Sequence, residues 1–290
     1  MKFLRPKSSE LPFAVGVPAL LWQILFFYLP LLFIICTSFF TISPKGVSFT
    51  LEKIYLFFQP TYLRVIFSSV LLGLSNAALC FCIAYPLAYF MAVRAKKIKN
   101  LLLFLLLIPF WTNFLLHVYA WFFVLERNGF LNNLLKTLGL IAEPIAFMNS
   151  LFAIMIMMVY YYLPFMVLPI YSSLEKFDHK LIEASLDLGA SWFHTFKRII
   201  LPLTLSGIRA GFFLVYIPSF GEFAIPELMG GDKRMFVGSL VSRYILGDQT
   251  GSLGAAFTVV ACAILFISCV ALYYLLNKIF TPRGSRGVKN

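Results

Sequence analysis

Six apolar stretches follow one another along the chain: Phe13–Phe40, Val65–Val93, Leu101–Val124, Ile145–Ile170, Leu203–Gly221 and Leu253–Asn277. Each is long enough to cross a hydrocarbon core of about 30 Å, which takes roughly 20 helical residues. They predict an all-α integral membrane protein with six transmembrane helices. The first stretch exceeds the need of one crossing, and Pro18 and Pro30 inside it predict a tilt, a kink or a continuation past the interface. No segment repeats at a fixed period and no low-complexity linker intervenes. Residues 1–290 therefore read as a single transmembrane domain, with a first span at 13–40 and a five-span core at 65–277. Between the fourth and fifth stretches lies a polar interruption, EASLDLGASWFHTFKRIILP, from Glu183 to Pro202. Unpaired charges do not lie in hydrocarbon, so this segment belongs in water.

Hydrophobic residues make up 61% of the chain, against about 45–50% in soluble domains. The formal net charge of +12 does not point to nucleic acid, because the basic residues sit in short loops between spans rather than on one folded face. They do orient the chain. The segments on the side of the amino terminus carry Lys2, Arg5, Lys7, Arg94, Lys96, Lys97, Lys99, Lys176, Lys180, Lys197, Arg198, Lys278, Arg283, Arg286 and Lys289. The opposite side carries Lys45, Lys53, Arg64, Arg127, Lys136, Lys233, Arg234 and Arg243. Fifteen against eight places both termini, and the Glu183–Pro202 segment, in the cytoplasm. The apolar run behind Lys2, Arg5 and Lys7 outlasts a signal-peptide core of roughly 7–15 residues and lacks a small-residue cleavage site, so it reads as a retained anchor. All five cysteines fall inside spans, and Cys80-x-Cys82 lacks zinc-ligand spacing; they read as packing residues.

Within the interruption, Leu181, Ala184 and Leu188 recur at helical spacing while Glu183 and Asp187 project elsewhere. Asp178 suits the start of this helix, and Gly189 permits a left-handed turn that a Cβ would resist. A second amphipathic piece carries Trp192, Phe193, Phe196 and Ile199 on its apolar side, and Pro202 enters the fifth span. Two readings fit this helix–elbow–helix pattern: a rigid device gripped by a soluble partner, or an interfacial helix held on lipid with the help of Lys197 and Arg198.

Glu183-Ala184, Gly189 six residues after the Glu, and Ile199-x-Leu201-Pro202 together resemble the EAA loop of bacterial ABC importer permeases. The likeness extends through PFWTN (109–113), LPFMVLPIYSSLEK (163–176), DLGAS (187–191), RIILPLT (198–204) and ELMGG (227–231), and is nearest to the spermidine/putrescine permeases of the B type. It implies a type I ABC importer permease fold in which segment 174–202 is the coupling loop. Glu183, Ala184, Ser185, Gly189, Ile199, Leu201 and Pro202 are then its site residues. It further implies a homologous second permease, two ATPase subunits that bind ATP and magnesium, and an extracytoplasmic polyamine-binding protein. Ser185 stands where the family usually has a second Ala, and His117 where Arg is expected; an unperturbed His titrates near pH ~6.5.

The energy source follows from what the spans lack. They hold no Asp or Glu of the kind that relays protons or sodium in secondary carriers, and their one formal charge, Arg209, either snorkels to the cytoplasmic surface or serves a gate. The sequence has no G-x-x-x-x-G-K-[ST] phosphate cradle and no catalytic constellation; His117, His179 and His194 lack metal-ligand spacing. Such a chain, an enzyme of no kind itself, depends on a partner's nucleotide hydrolysis. A polyamine prefers aromatic faces with a few acceptors, which nominates Trp111, Tyr119, Trp121, Tyr160, Tyr161, Phe220 and His117, with Glu222 and Glu227 at the outer end of span five and Asp248 beyond. An amino-acid or oxyanion permease, or a membrane scaffold that recruits a soluble partner, are the alternatives.

Overall fold

A computed structural model describes residues 11–43, 46–95, 97–178, 180–231, 234–247 and 251–280. Lys2, Arg5, Lys7, Lys45, Lys96, His179, Lys233, Asp248, Arg283, Arg286 and Lys289 lie outside the described residues. The chain forms two compact units, one from residues 1–63 and 241–263, the other from 64–240 and 264–290.

The first unit opens with α1 (Leu11–Gln23) and α2 (Leu29–Phe39), joined by a single π-helical turn at Ile24–Tyr28. In that turn Leu29 N–H donates to Ile24 O, five residues back. The wider turn absorbs the donor that Pro30 lacks, so the helix passes both prolines without a break. Its most apolar 18 residues include none that is buried. Exposing that many leucines and phenylalanines to water would cost about 1.5–3 kcal/mol each. Hydrocarbon or another helix must surround them. A two-stranded antiparallel hairpin follows, β1 (Phe40–Ser43) with β2 (Gly46–Phe49), pairing Phe40 with Phe49. It is a small departure from the all-α expectation, too short for a hydropathy window to register. After α3 (Glu52–Leu56), Phe57 is fully buried among the rings of Tyr62, Tyr244 and Phe257, and the Tyr62 and Tyr244 hydroxyls meet at 3.0 Å.

The second unit contains most of α4 (Pro60–Tyr89), then α5 (Lys99–Trp111), α6 (Phe114–Leu125), α7 (Phe130–Thr137) and α8 (Leu151–Glu175). Next come α9 (Lys180–Asp187), α10 (Trp192–Thr195), α11 (Leu201–Leu203), α12 (Leu205–Phe220), α13 (Ala224–Gly230) and the start of α14 (Val237–Ser242). The last helix, α15 (Gly251–Phe280), contributes residues to both units.

Among the described residues, four helices are long and apolar enough to cross a membrane: Gly16–Phe39, Pro60–Arg94, Leu151–Glu175 and Gly251–Phe280. The third stretch, expected as an unbroken span, is instead a bent pair, and the fifth, one helix from Leu205 to Phe220, is bent against the arm that precedes it. Lys99–Trp111 meets Phe114–Thr137 at 98°, and Trp192–Leu203 meets Leu205–Phe220 at 66°. The first bend has a local cause in the sequence PFWTN. Thr112 is extended (ψ 154°), its hydroxyl donates to Pro109 O at 3.0 Å, and Asn113 caps α6 by accepting Leu115 N–H at 2.8 Å. The fourth stretch also starts later than Ile145. Asn132, 1% exposed, donates to the carbonyls of Glu126 and Ile145 and accepts Ile145 N–H, holding Ile145 out of the helix, and Ser150 caps α8.

The core of the second unit is the pairing of α8 with α12. A Cβ at Gly207 would lie 2.4 Å from Pro169 O and Ser173 Oγ, and one at Gly211 would lie 2.7 Å from the Met166 sulfur. Small residues four apart thus let the two helices approach closely, the usual device where water offers no driving force between helices. Asn76, fully buried on α4, donates to Ser219 Oγ of α12 at 2.8 Å and satisfies a polar pair within the apolar interior.

Candidate coupling and transport site

The polar segment after α8 folds as two short arms. Asp178 Oδ1 accepts Lys180 N–H at 3.1 Å and helps to start α9. Ile182 packs on the core and Ser185 is half-buried, whereas Leu181, Glu183, Ala184, Asp187 and Leu188 are exposed, Leu188 by 88%. The apolar row seen in the sequence therefore faces away from the bundle and is mixed with carboxylates. Gly189 ends α9 at φ +81°; its N–H donates to Leu186 O at 2.9 Å, and Ala190 N–H donates to Ser185 O at 3.1 Å. This pair of bonds is the Schellman arrangement, which favours a residue without a Cβ.

Ser191 Oγ then accepts His194 N–H at 3.4 Å and caps α10. Ser185 Oγ donates to Thr195 Oγ1 at 2.9 Å, while Thr195, fully buried, donates to Ser191 O. The serine that replaces the family's second alanine thus ties the two arms together. Beyond it, the Trp192 ring stacks on Phe196 at 5.3 Å and meets Tyr89 of α4 edge-on, and Phe196 meets Tyr85 edge-on at 5.5 Å. The Tyr85 hydroxyl donates to Thr204 Oγ1 at 3.1 Å, and Thr204 in turn donates to Ile200 O at 2.9 Å, at the 66° bend into α12. Ile199, Leu201 and Pro202 are half-buried along this route. Much of the apolar side of the second arm faces α4 rather than lipid, which weighs against the interfacial-helix reading.

At its other end α12 reaches a carboxylate. Tyr162 of α8 donates to Glu222 Oε2 at 2.6 Å, while Glu222 Oε1 accepts the N–H groups of Ala224 at 3.1 Å and Ile225 at 3.5 Å, in the first turn of α13. These donors are neutral, so they hold the carboxylate without cancelling its charge. From there α13 runs back along α8: Met229 O accepts Asn149 N–H at 3.0 Å, and Gly230 packs against Ile154. Glu222 thus follows the carboxyl end of α12 directly, and α13 leads from it back toward the amino end of α8.

Other nominated residues separate into two groups. Trp121 packs on Tyr160 at 5.7 Å; the Tyr160 hydroxyl donates to His117 Nδ1 at 2.9 Å, and His117 Nε2 donates to Pro109 O at 3.0 Å and also touches Thr112. His117 thus bridges the 98° joint to α8. Trp111 and Tyr119 are exposed beside Phe104 and Phe122, Glu227 is exposed on α13, and Phe220 is buried at 3%. The Arg209 guanidinium rests over the Tyr273 ring at 5.0 Å, a cation–π contact inside the bundle. Tyr162, the residue that engages Glu222, was not singled out in the sequence. Its signal is the run Tyr160–Tyr162, of which only the third hydroxyl faces α13.

Residues 84–286, from the end of α4 through both arms to the carboxyl-terminal segment, match the family described as binding-protein-dependent transport system inner membrane component. The chain belongs to that family. As a member it is a non-catalytic permease subunit of a binding-protein-dependent transport system and a multi-pass inner-membrane protein. Within the family, the chain is 41% identical over 96% of its length to the spermidine/putrescine transport system permease protein PotB of Salmonella typhimurium LT2, covering 98% of that protein. PotB of Escherichia coli K12 is 40% identical over 89% of this chain and 96% of its own length. The crystal structure of a bacterial ABC transporter involved in the import of the acidic polysaccharide alginate matches with a TM-score of 0.72, over 93% of this chain and 96% of that one. At 15% identity that likeness concerns the fold alone.

Proposed function

We propose that this permease subunit translocates polyamines, spermidine and putrescine, into the cytoplasm as part of an ATP-driven importer. The reading takes residues 1–290 as one transmembrane domain, with a first span at 13–40, a five-span core at 65–277, six crossings in all when each bent pair counts as one, and both termini cytoplasmic. Its partners are a homologous second permease, two ATPase subunits carrying ATP and magnesium, an extracytoplasmic polyamine-binding protein and the surrounding lipid. The names of the PotB relatives support the cargo, and the excess of basic residues in the inner segments supports the orientation.

One observation carries the mechanism: the exposed elbow around Gly189 is joined through the buried Thr195 and the Thr204 bend to α12, and Glu222 follows two residues beyond the end of α12. A closing ATPase gripping Glu183, Ala184 and Leu188 would push a rod rather than a loop. Tyr85 and Tyr89 pass part of that push to α4, and α12 passes the rest to the carboxylate at its far end. Substrate released at the outer face would then meet a path whose acceptor moves when the motor closes. Reconstitution of the complete complex in vesicles tests the cargo, with labelled spermidine and putrescine in competition with sulfate. Saturable, ATP-dependent polyamine uptake unaffected by sulfate is expected; sulfate uptake without polyamine uptake would overturn the assignment.

A further inference from the structure

Glu222 has a place in the proposed path, but Tyr162 does not yet have one. Tyr162 lies near the middle of α8 and is 5% exposed. Its hydroxyl is aimed at one atom, Glu222 Oε2. A carboxylate offers roughly four acceptor positions. Two on Oε1 face the amides of Ala224 and Ile225, and one on Oε2 takes Tyr162. One position remains, on Oε2 of the half-buried carboxylate.

We propose that Tyr162 is a specificity-determining positioning residue: it fixes Glu222 so that the carboxylate accepts a single N–H from a primary ammonium group. A primary ammonium has N–H donors to give; a quaternary ammonium has none, however well its charge matches. The partly exposed rings of Tyr161 and Phe165, 5.4 and 6.1 Å from the Tyr162 ring, offer aromatic surface near that residue on which a methylene chain can lie. An aromatic surface alone would accept both kinds of cation, because cation–π attraction needs no N–H. The selectivity thus comes from the hydrogen bond that Tyr162 sets up. This inference rests on the polyamine reading of the permease.

The test uses the complete complex in vesicles, with spermidine uptake measured against putrescine and against a bis-trimethylammonium butane competitor. Wild type should be inhibited by putrescine and hardly by the quaternary compound. Tyr162→Phe keeps the ring and removes the donor; KM for spermidine should rise about tenfold at normal membrane level, the effect falling on KM rather than on the maximal rate. Glu222→Gln keeps an oxygen to cap α13 and removes the charge, and should raise KM at least as far. Equal inhibition of wild type by the quaternary compound, an unchanged KM in Tyr162→Phe, or a loss confined to maximal rate and protein level would each overturn the proposal. Failure of wild type to take up any polyamine would instead overturn the cargo assignment, so the two outcomes are distinct.

Discussion

Gly189→Pro should yield a permease that inserts and accumulates normally yet supports no ATP-driven uptake. Gly189 sits at φ +81° and donates its N–H to Leu186 O; proline requires φ near −65° and has no N–H. Such a mismatch costs about 3 kcal/mol or more, enough to abolish the elbow. The damage stays local, because nothing lies within 4 Å of a Cβ at this position. Gly189→Ala should be milder, since a lone left-handed residue with a Cβ costs roughly 1–2 kcal/mol and clashes with nothing. Glu183→Lys separates docking from folding. Glu183 is exposed in the first turn of α9, so reversing its charge perturbs the helix by only about 0.3–1 kcal/mol. If uptake and binding-protein-stimulated ATPase vanish in that variant at normal protein level, the loss reports contact with the motor. Normal uptake by both Gly189→Pro and Glu183→Lys would remove the elbow from the mechanism.

The second large effect is expected at the α8–α12 contact. Gly207→Val would place a branched side chain where even a Cβ lies 2.4 Å from Pro169 O and Ser173 Oγ. A backbone carbonyl cannot turn aside as a flexible side chain can, so the helices must separate. Overpacking a core typically costs 1–3 kcal/mol, occasionally more, and a loss of 1–2 kcal/mol already changes abundance several-fold. We expect the Gly207→Val subunit at about a tenth of the wild-type level or less, with an aggregated profile by fluorescence-detected size exclusion. Gly16→Val is the control, because a Cβ there meets nothing within 4 Å, and it should accumulate like wild type. Equal accumulation of the two variants would show that the close approach at Gly207 does not hold the bundle.

The reach of the sequence differs from element to element. Hydropathy located the four long apolar helices, since span length is a property of consecutive residues. It missed the joint at Thr112–Asn113, because a window averages across a two-residue break whose geometry depends on a threonine hydroxyl, an asparagine cap and His117. Ile145 was counted as helix for the same reason, although Asn132, thirteen residues earlier, holds it outside the helix. Gly189 was legible because glycine at a helix end has a backbone meaning of its own. The row Leu181, Ala184 and Leu188 announced an apolar face but not its direction, which is set by Ile182 and Ser185 packing inward. Ser185 looked like a conservative departure from the family pattern, and its bond to Thr195 depended on an elbow not yet folded. Glu222 was found as a charge at the end of a span, while its partner Tyr162, sixty residues away, came only from the packing of α12 and α13 on α8.

The grip of the motor on this elbow can be observed directly. A photo-activated cross-linking residue placed at Leu188, 88% exposed, should trap the ATPase subunit when living cells are irradiated. The same residue at Leu140, 68% exposed in the segment between α7 and α8, should trap none. An ATPase adduct at Leu188 that depends on Gly189 is the expected result. Absence of any ATPase adduct at Leu188, or capture there of an extracytoplasmic protein instead, would contradict it.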